Sequence, residues 1–204
     1  MNFESFREKM GYQPILLGTF ALLASGALAW ASNATGGAIA AAEAKDLRDS
    51  LSEVLPQGFA DNDFLNDKLE IERDGKMVTI YRARQGETVK GAVFKVGERG
   101  YAAEIQVLMA VDAEGKTLGV RVIKHAETPG LGDKIEVKKD PWIKDFDGKG
   151  LGNPAPEKWG VKKDGGIFDQ FAGATITPRA VVKAVKGGLD FYAAHRKEIL
   201  GDKS

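Results

Sequence analysis

Asp169-Gln170-Phe171-Ala172-Gly173-Ala174-Thr175-Ile176-Thr177-Pro178 is the most informative stretch of the chain. Gly173 and Ala174 remove bulk beside the Thr175 hydroxyl, and a helix is expected just downstream, with Thr177 as its N-cap and Pro178 at its first position. A helix N-terminus presents unpaired N–H groups and a partial positive charge, which suits a phosphate. Thr175 therefore stands where a hydroxyl can lie beside a phosphate group or be bonded to it. Spacing alone also fits an ordinary turn and cap before a helix.

Outward from this stretch, Pro178 to Ile199 has an apolar stripe at Val181, Val182, Val185, Leu189 and Tyr192, the spacing of a helix packed on one side. Upstream, Lys134 to Phe168 is loop-rich, with Pro141, Pro154 and Pro156. Trp142, Phe146 and Trp159 are expected to hold it down as a small aromatic cluster rather than to face a ligand. The lysines scattered through it alternate with acids and read as a solvated surface. Met77 to Tyr81, Val89 to Val96, Tyr101 to Asp112 and Leu118 to Lys124 read as strands, with a hairpin turn at Asp112-Ala113-Glu114-Gly115-Lys116. Such pairs predict an antiparallel sheet. Ala40 to Leu55 reads as a helix stopped by Pro56, with Leu47, Leu51, Val54 and Leu55 on its packed side. The fold class expected is α+β, a mainly antiparallel sheet with flanking helices.

Of the 204 residues, 29 are Lys or Arg and 29 are Asp or Glu, so the net charge is zero and no general nucleic-acid binding is expected. Cysteine is absent, which excludes disulfides, thiolate metal sites and cysteine nucleophiles. His125 and His195 are the only histidines, too few for a multi-histidine metal site. No charged side chain lies between Lys9 and Glu43. The centre of that gap, PILLGTFALLASGALAWA from Pro14 to Ala31, is long enough to cross a hydrocarbon core about 30 Å thick. A buried core helix and a cleaved signal peptide are the alternatives; Glu4 and Glu8 beside Arg7 and Lys9 speak against the latter. The expected organisation is a cytoplasmic N-terminus at 1–10, a transmembrane helix at 11–32, a small polar linker at 33–40 and an extracytoplasmic domain at 41–204.

The 169–178 stretch resembles the attachment motif D-x-x-[ST]-G-A-T of covalent FMN-binding domains, with Ala172 where the family usually has Ser or Thr. Gly100-Tyr101 followed by Ile105-Gln106-Val107-Leu108 is similar to the family's G-Y-x-x-x-I-x-V segment. His125-Ala126-Glu127-Thr128-Pro129-Gly130-Leu131-Gly132 is similar to its H-x-E-T-P-G-L-G loop. Trp159-Gly160-Val161-Lys162-Lys163-Asp164-Gly165-Gly166 then runs into the motif as in the G subunits of Rnf (Rsx) electron-transport complexes. The likeness covers nearly the whole chain. The C subunit of the sodium-pumping NADH:quinone oxidoreductase is a related member that shares the motif.

The resemblance implies FMN carried on Thr175 through a phosphoester, installed by a separate flavin transferase, with Asp169 as the motif acid. It counts Gly173, Ala174 and Thr177 among the cofactor-binding residues, with Glu127, Thr128, Gly130 and Leu131 of the loop bordering the isoalloxazine. It implies an electron-transfer subunit without turnover of its own, at the periplasmic face of a bacterial inner membrane. Its partners would be the other membrane subunits of a Rnf-type complex that couples ferredoxin/NAD electron transfer to ion movement. A flavoprotein like the C subunit of the sodium-pumping oxidoreductase, a stand-alone anchored FMN domain serving an extracytoplasmic reductase, and a non-redox binding module are the competing readings.

Overall fold

The structure, a computed structural model, describes residues 12–201. The chain falls into two compact units, 1–46 and 47–204. The expected cytoplasmic segment 1–10 lies outside the described residues.

Helix α1 spans Tyr12–Val54. Its stretch Gln13–Ile39 has a mean hydropathy of 1.7 and none of it is buried within the protein. Leu17, Leu22, Leu28 and Trp30 are all exposed. Thr19 and Thr35 donate to the carbonyls of Ile15 and Ala31 one turn back, at 2.8 and 2.7 Å, so these polar groups need no water. This is the composition of a membrane-spanning helix. The expected linker is helical instead: α1 continues through residues 33–40, where Ala34, Ala38, Ala41 and Ala42 supply helix propensity that outweighs Gly36-Gly37.

The second unit carries a five-stranded sheet in the order β1-β2-β3-β4-β5. The strands are β1 (Lys68–Arg73), β2 (Lys76–Gln85), β3 (Thr88–Arg99), β4 (Glu104–Asp112) and β5 (Thr117–Lys124). Every neighbouring pair is antiparallel. β1 is a strand beyond those expected. Its KLEIER sequence puts charge on both sides of Ile71, which hides the apolar alternation of an edge strand. β4 starts at Glu104 rather than Tyr101, because Gly100 to Ala103 forms a turn closed by Gly100 N–H on the Ala103 carbonyl at 2.8 Å.

Helix α2 (Ile176–Leu200) lies on one sheet face. Val181, Val182, Val185, Leu189 and Tyr192 are at most 2% exposed, the stripe read from sequence. They join Phe94, Val107 and Met109 in the larger core. On the opposite face Leu51 and Val54, from the last turns of α1, pack with Val93, Leu108 and Ala110. A chain beginning near residue 40 is therefore expected to be soluble and folded. One beginning at Pro56 loses Leu51 and Val54, a deficit of about 3–6 kcal/mol, measurable by urea unfolding.

Between β5 and α2 the chain makes four short 3-10 turns, at Asp133–Ile135, Pro141–Phe146, Pro156–Lys158 and Lys162–Asp164. An aromatic cluster replaces regular structure there. The ring centres of Phe146 and Phe168 are 4.4 Å apart, those of Trp142 and Phe171 5.1 Å, and those of Trp142 and Phe146 5.4 Å. Trp142 and Trp159 are both buried in this cluster, as expected of anchors.

Candidate functional site

A cleft of about 230 Å³ opens where three segments meet: the β3–β4 turn at Tyr101, the loop after β5, and the start of α2. Glu127 ties the three together. Its carboxylate accepts the Tyr101 N–H at 3.0 Å and the Ala102 N–H at 3.2 Å. It also accepts the hydroxyl of Thr177, fifty residues away in sequence. Glu127 is 5% exposed and Thr177 1%. Glycine is required on both sides of this carboxylate. A Cβ on Gly100 would lie 2.6 Å from a Glu127 oxygen, and one on Gly132 would lie 2.9 Å from both the Glu127 Cβ and the Thr177 Oγ1. The G-Y and G-L-G elements of the sequence are thus two walls built against one buried acid.

Helix α2 begins two residues earlier than expected. Thr175 is the N-cap, at φ −78° and ψ −22°, and its side chain makes no capping hydrogen bond. Pro178 sits within the first turn, where its missing N–H costs nothing. Thr177 is not the cap; its hydroxyl is committed to Glu127. Gly173, at φ +80°, turns the chain so that Ala174 and Thr175 face the cleft. Thr175 is half-buried, with an uncommitted hydroxyl beside the free N–H groups of the helix start.

Of the residues singled out from sequence, Glu127, Thr128, Leu131, Gly173, Ala174, Thr175 and Thr177 line the cleft. Gly130 and Asp169 do not. Gly130, at φ +77°, shapes the turn in which the Leu131 and Gly132 N–H groups reach the Thr128 carbonyl at 3.1 and 3.0 Å. Asp169 points to solvent and pairs with Lys162 at 2.6 Å, while its backbone carbonyl accepts the Trp142 indole N–H at 2.9 Å. Tyr101 and Ile176 line the cleft without having been singled out. The Gly100-Tyr101 pair read as a strand start; its position in a turn next to a distant acid has no local signature.

Behind the loop, Lys139 bridges Asp133 at 2.8 Å and Glu136 at 2.7 Å, and His125 meets Glu136 at 3.1 Å. The Lys139 hydrogen bond holds both carboxyls below their usual range. Groups with lowered folded-state values stabilise fully above the unfolded-state value and lose that contribution as pH falls through the folded one. The loop is expected to loosen only below about pH 4, with faster cleavage within residues 127–139 at pH 3 than at pH 6, each rate divided by that of an unstructured peptide at the same pH, as the check.

The cleft has apolar flanks and one polar end. Tyr101, Leu131 and Ile176 are 67%, 42% and 45% exposed, a rim fit for the faces of a planar ring. The Thr175 end offers a hydroxyl and helix N–H groups, fit for a phosphate. About 230 Å³ falls below the roughly 300–1,000 Å³ of pockets that enclose a ligand. A cleft of this size with one polar end suits a nucleotide that is only partly enclosed. Among the described residues no cluster of His, Asp and Glu is arranged to hold a metal ion.

Residues 100–190 match the FMN-binding domain family. The G subunit of the ion-translocating oxidoreductase complex of Cereibacter sphaeroides is 50% identical over 187 residues, covering 91% of this chain and 85% of that protein. The protein of the same description from Pseudomonas aeruginosa is 42% identical over 200 residues, covering 95% and 94%. Among solved structures, NqrC of Shewanella oneidensis aligns with a TM-score of 0.47 at 22% identity, covering 70% of this chain and 72% of that one.

Proposed function

Because the chain belongs to the family of ion-translocating oxidoreductase complex G subunits, with its FMN-binding domain, we propose that it carries FMN on Thr175 and passes electrons between neighbouring subunits of a Rnf-type complex. It is a membrane-anchored redox subunit of a multi-subunit, ion-translocating assembly. The flavin supplies the electron chemistry; the protein supplies position, access and electrostatic environment. The observation that carries the reading is the half-exposed Thr175 hydroxyl, free of any capping bond, at a helix start inside a cleft with apolar flanks. A phosphoester there would bring the phosphate to the helix N–H groups, and Leu131, Ile176 and Tyr101 are the residues that would offer apolar contact to the ring. The shallow cleft explains why a covalent link is useful: a tether holds the cofactor at high effective concentration where enclosure cannot.

A separate flavin transferase installs the group, and the soluble unit faces the periplasm. Ferredoxin and NAD stand at the two ends of the electron path through the whole complex. The test is the intact mass of the protein made with and without a flavin transferase, followed by peptide mapping. Flavin mass on the peptide containing Gly173-Ala174-Thr175 is expected. Flavin on Thr128 or Thr177, or none that survives denaturation, overturns the assignment. A reporter enzyme fused after Ser204 is expected to be active only outside the cytoplasm; cytoplasmic activity reverses the orientation.

A further inference from the structure

The Glu127 carboxylate is more than a structural tie. All three of its partners donate, two backbone N–H groups and the Thr177 hydroxyl, which is the pattern of an ionised carboxylate. The group is 5% exposed, and no Lys or Arg side chain pairs with it among the described residues. It also forms part of the cleft wall. A fixed negative charge with only dipoles for company is screened weakly by solvent, so its field extends into the cleft. Gly100 and Gly132 let the backbone close on it from two sides.

We propose that Glu127 is a positioning residue that sets the redox potential of the group held in this cleft, its charge opposing reduction and so lowering that potential. The inference rests on the reading of the cleft as the flavin site. Reduction brings electrons onto the ring from an external donor, and a nearby anion raises the energy of the electron-loaded form relative to the oxidised one. The N–H groups and the Thr177 hydroxyl offset part of that effect by directing positive dipole ends at the carboxylate. Charge and donor therefore act with opposite sign, which separates an electrostatic role from simple loosening of the cleft.

Two variants of the full-length flavinylated protein test this, titrated with dithionite at pH 8 against a reference dye. Glu127→Gln keeps volume and pairing: its amide oxygen can accept the Tyr101 and Ala102 N–H groups while its amide nitrogen donates to the Thr177 hydroxyl. Only the charge is lost. The midpoint potential is expected to rise, with at least a tenfold change in the oxidised-to-reduced ratio at fixed potential, or about 30 mV for a two-electron couple. Thr177→Val keeps the charge and removes a donor, and its potential is expected to fall. Shifts in the same direction, or no shift, overturn the proposal. If Glu127→Gln does not fold, Thr177→Val decides alone: a shift that is zero or positive overturns it. Mass spectra of the same samples report attachment independently. Wild-type protein without flavin on Thr175 overturns the site reading and this inference with it, whereas flavin present with an unchanged potential overturns the inference alone.

Discussion

Thr175→Val is expected to yield a folded protein with no covalent flavin. Valine replaces the hydroxyl with a methyl group and changes almost nothing else. Thr175 has ordinary right-handed helical backbone angles, and its side chain makes no capping bond, so folding stability should change by less than about 0.5 kcal/mol. Attachment needs an oxygen nucleophile, so its loss should be complete. Thr175→Ser restores the oxygen and should restore attachment at least in part. The neighbouring Thr177→Val gives the opposite outcome. It leaves the buried Glu127 short of a donor, a loss of about 1–3 kcal/mol, yet leaves the attachment hydroxyl in place. Denaturant unfolding read beside intact mass separates the two substitutions; a Thr175→Val protein that stays covalently yellow removes the central assignment.

The second large effect is expected at Trp142. Its ring packs against Phe146 and Phe171, and its indole N–H holds the Asp169 carbonyl at 2.9 Å. Trp142→Ala should cost about 3–5 kcal/mol through the cavity it leaves. Trp142→Phe keeps most of the packing and loses one hydrogen bond, a cost nearer 1 kcal/mol. Because residues 169 and 171 begin the stretch proposed to carry FMN, the alanine variant should also be flavinylated more slowly under conditions where it remains folded. Urea midpoints and the time course of flavin incorporation check the two parts separately. Unchanged stability of Trp142→Ala would mean that the aromatic cluster does not hold this loop.

Most of the sheet was legible because its strands alternate plainly, as in Ile105, Val107 and Met109, and because Gly115 marks a tight turn. β1 was not, since the charges of Lys68, Glu70 and Glu72 mask the inward Ile71. The helix start was misplaced by two residues for a physical reason. Thr175 and Thr177 are both good cap types, and only the distant Glu127 shows that the second hydroxyl is taken. The same acid was expected beside the ligand; it does line the cleft, but the three protein donors on its oxygens come from segments distant in sequence and had no local signature. Residues 33–40 read as a linker from their small polar side chains, although alanine-rich flanks sustain the helix through them. The small residues and following helix drew notice to the 169–178 stretch, and only its resemblance to a known motif gave it a chemical role; its closure against the 127–132 loop was not legible, because that pairing spans about fifty residues.

The order of strands along the sheet has a kinetic consequence. Each strand pairs with its immediate successor, so every pairing closes a short stretch of chain and can zip up rapidly from successive hairpins. The Glu127–Thr177 contact is different: it closes only after the whole aromatic loop has collapsed and α2 has docked. The sheet therefore forms early and the cleft last. The cleft is therefore complete only when folding is essentially finished, so whatever it holds is held by correctly folded molecules alone.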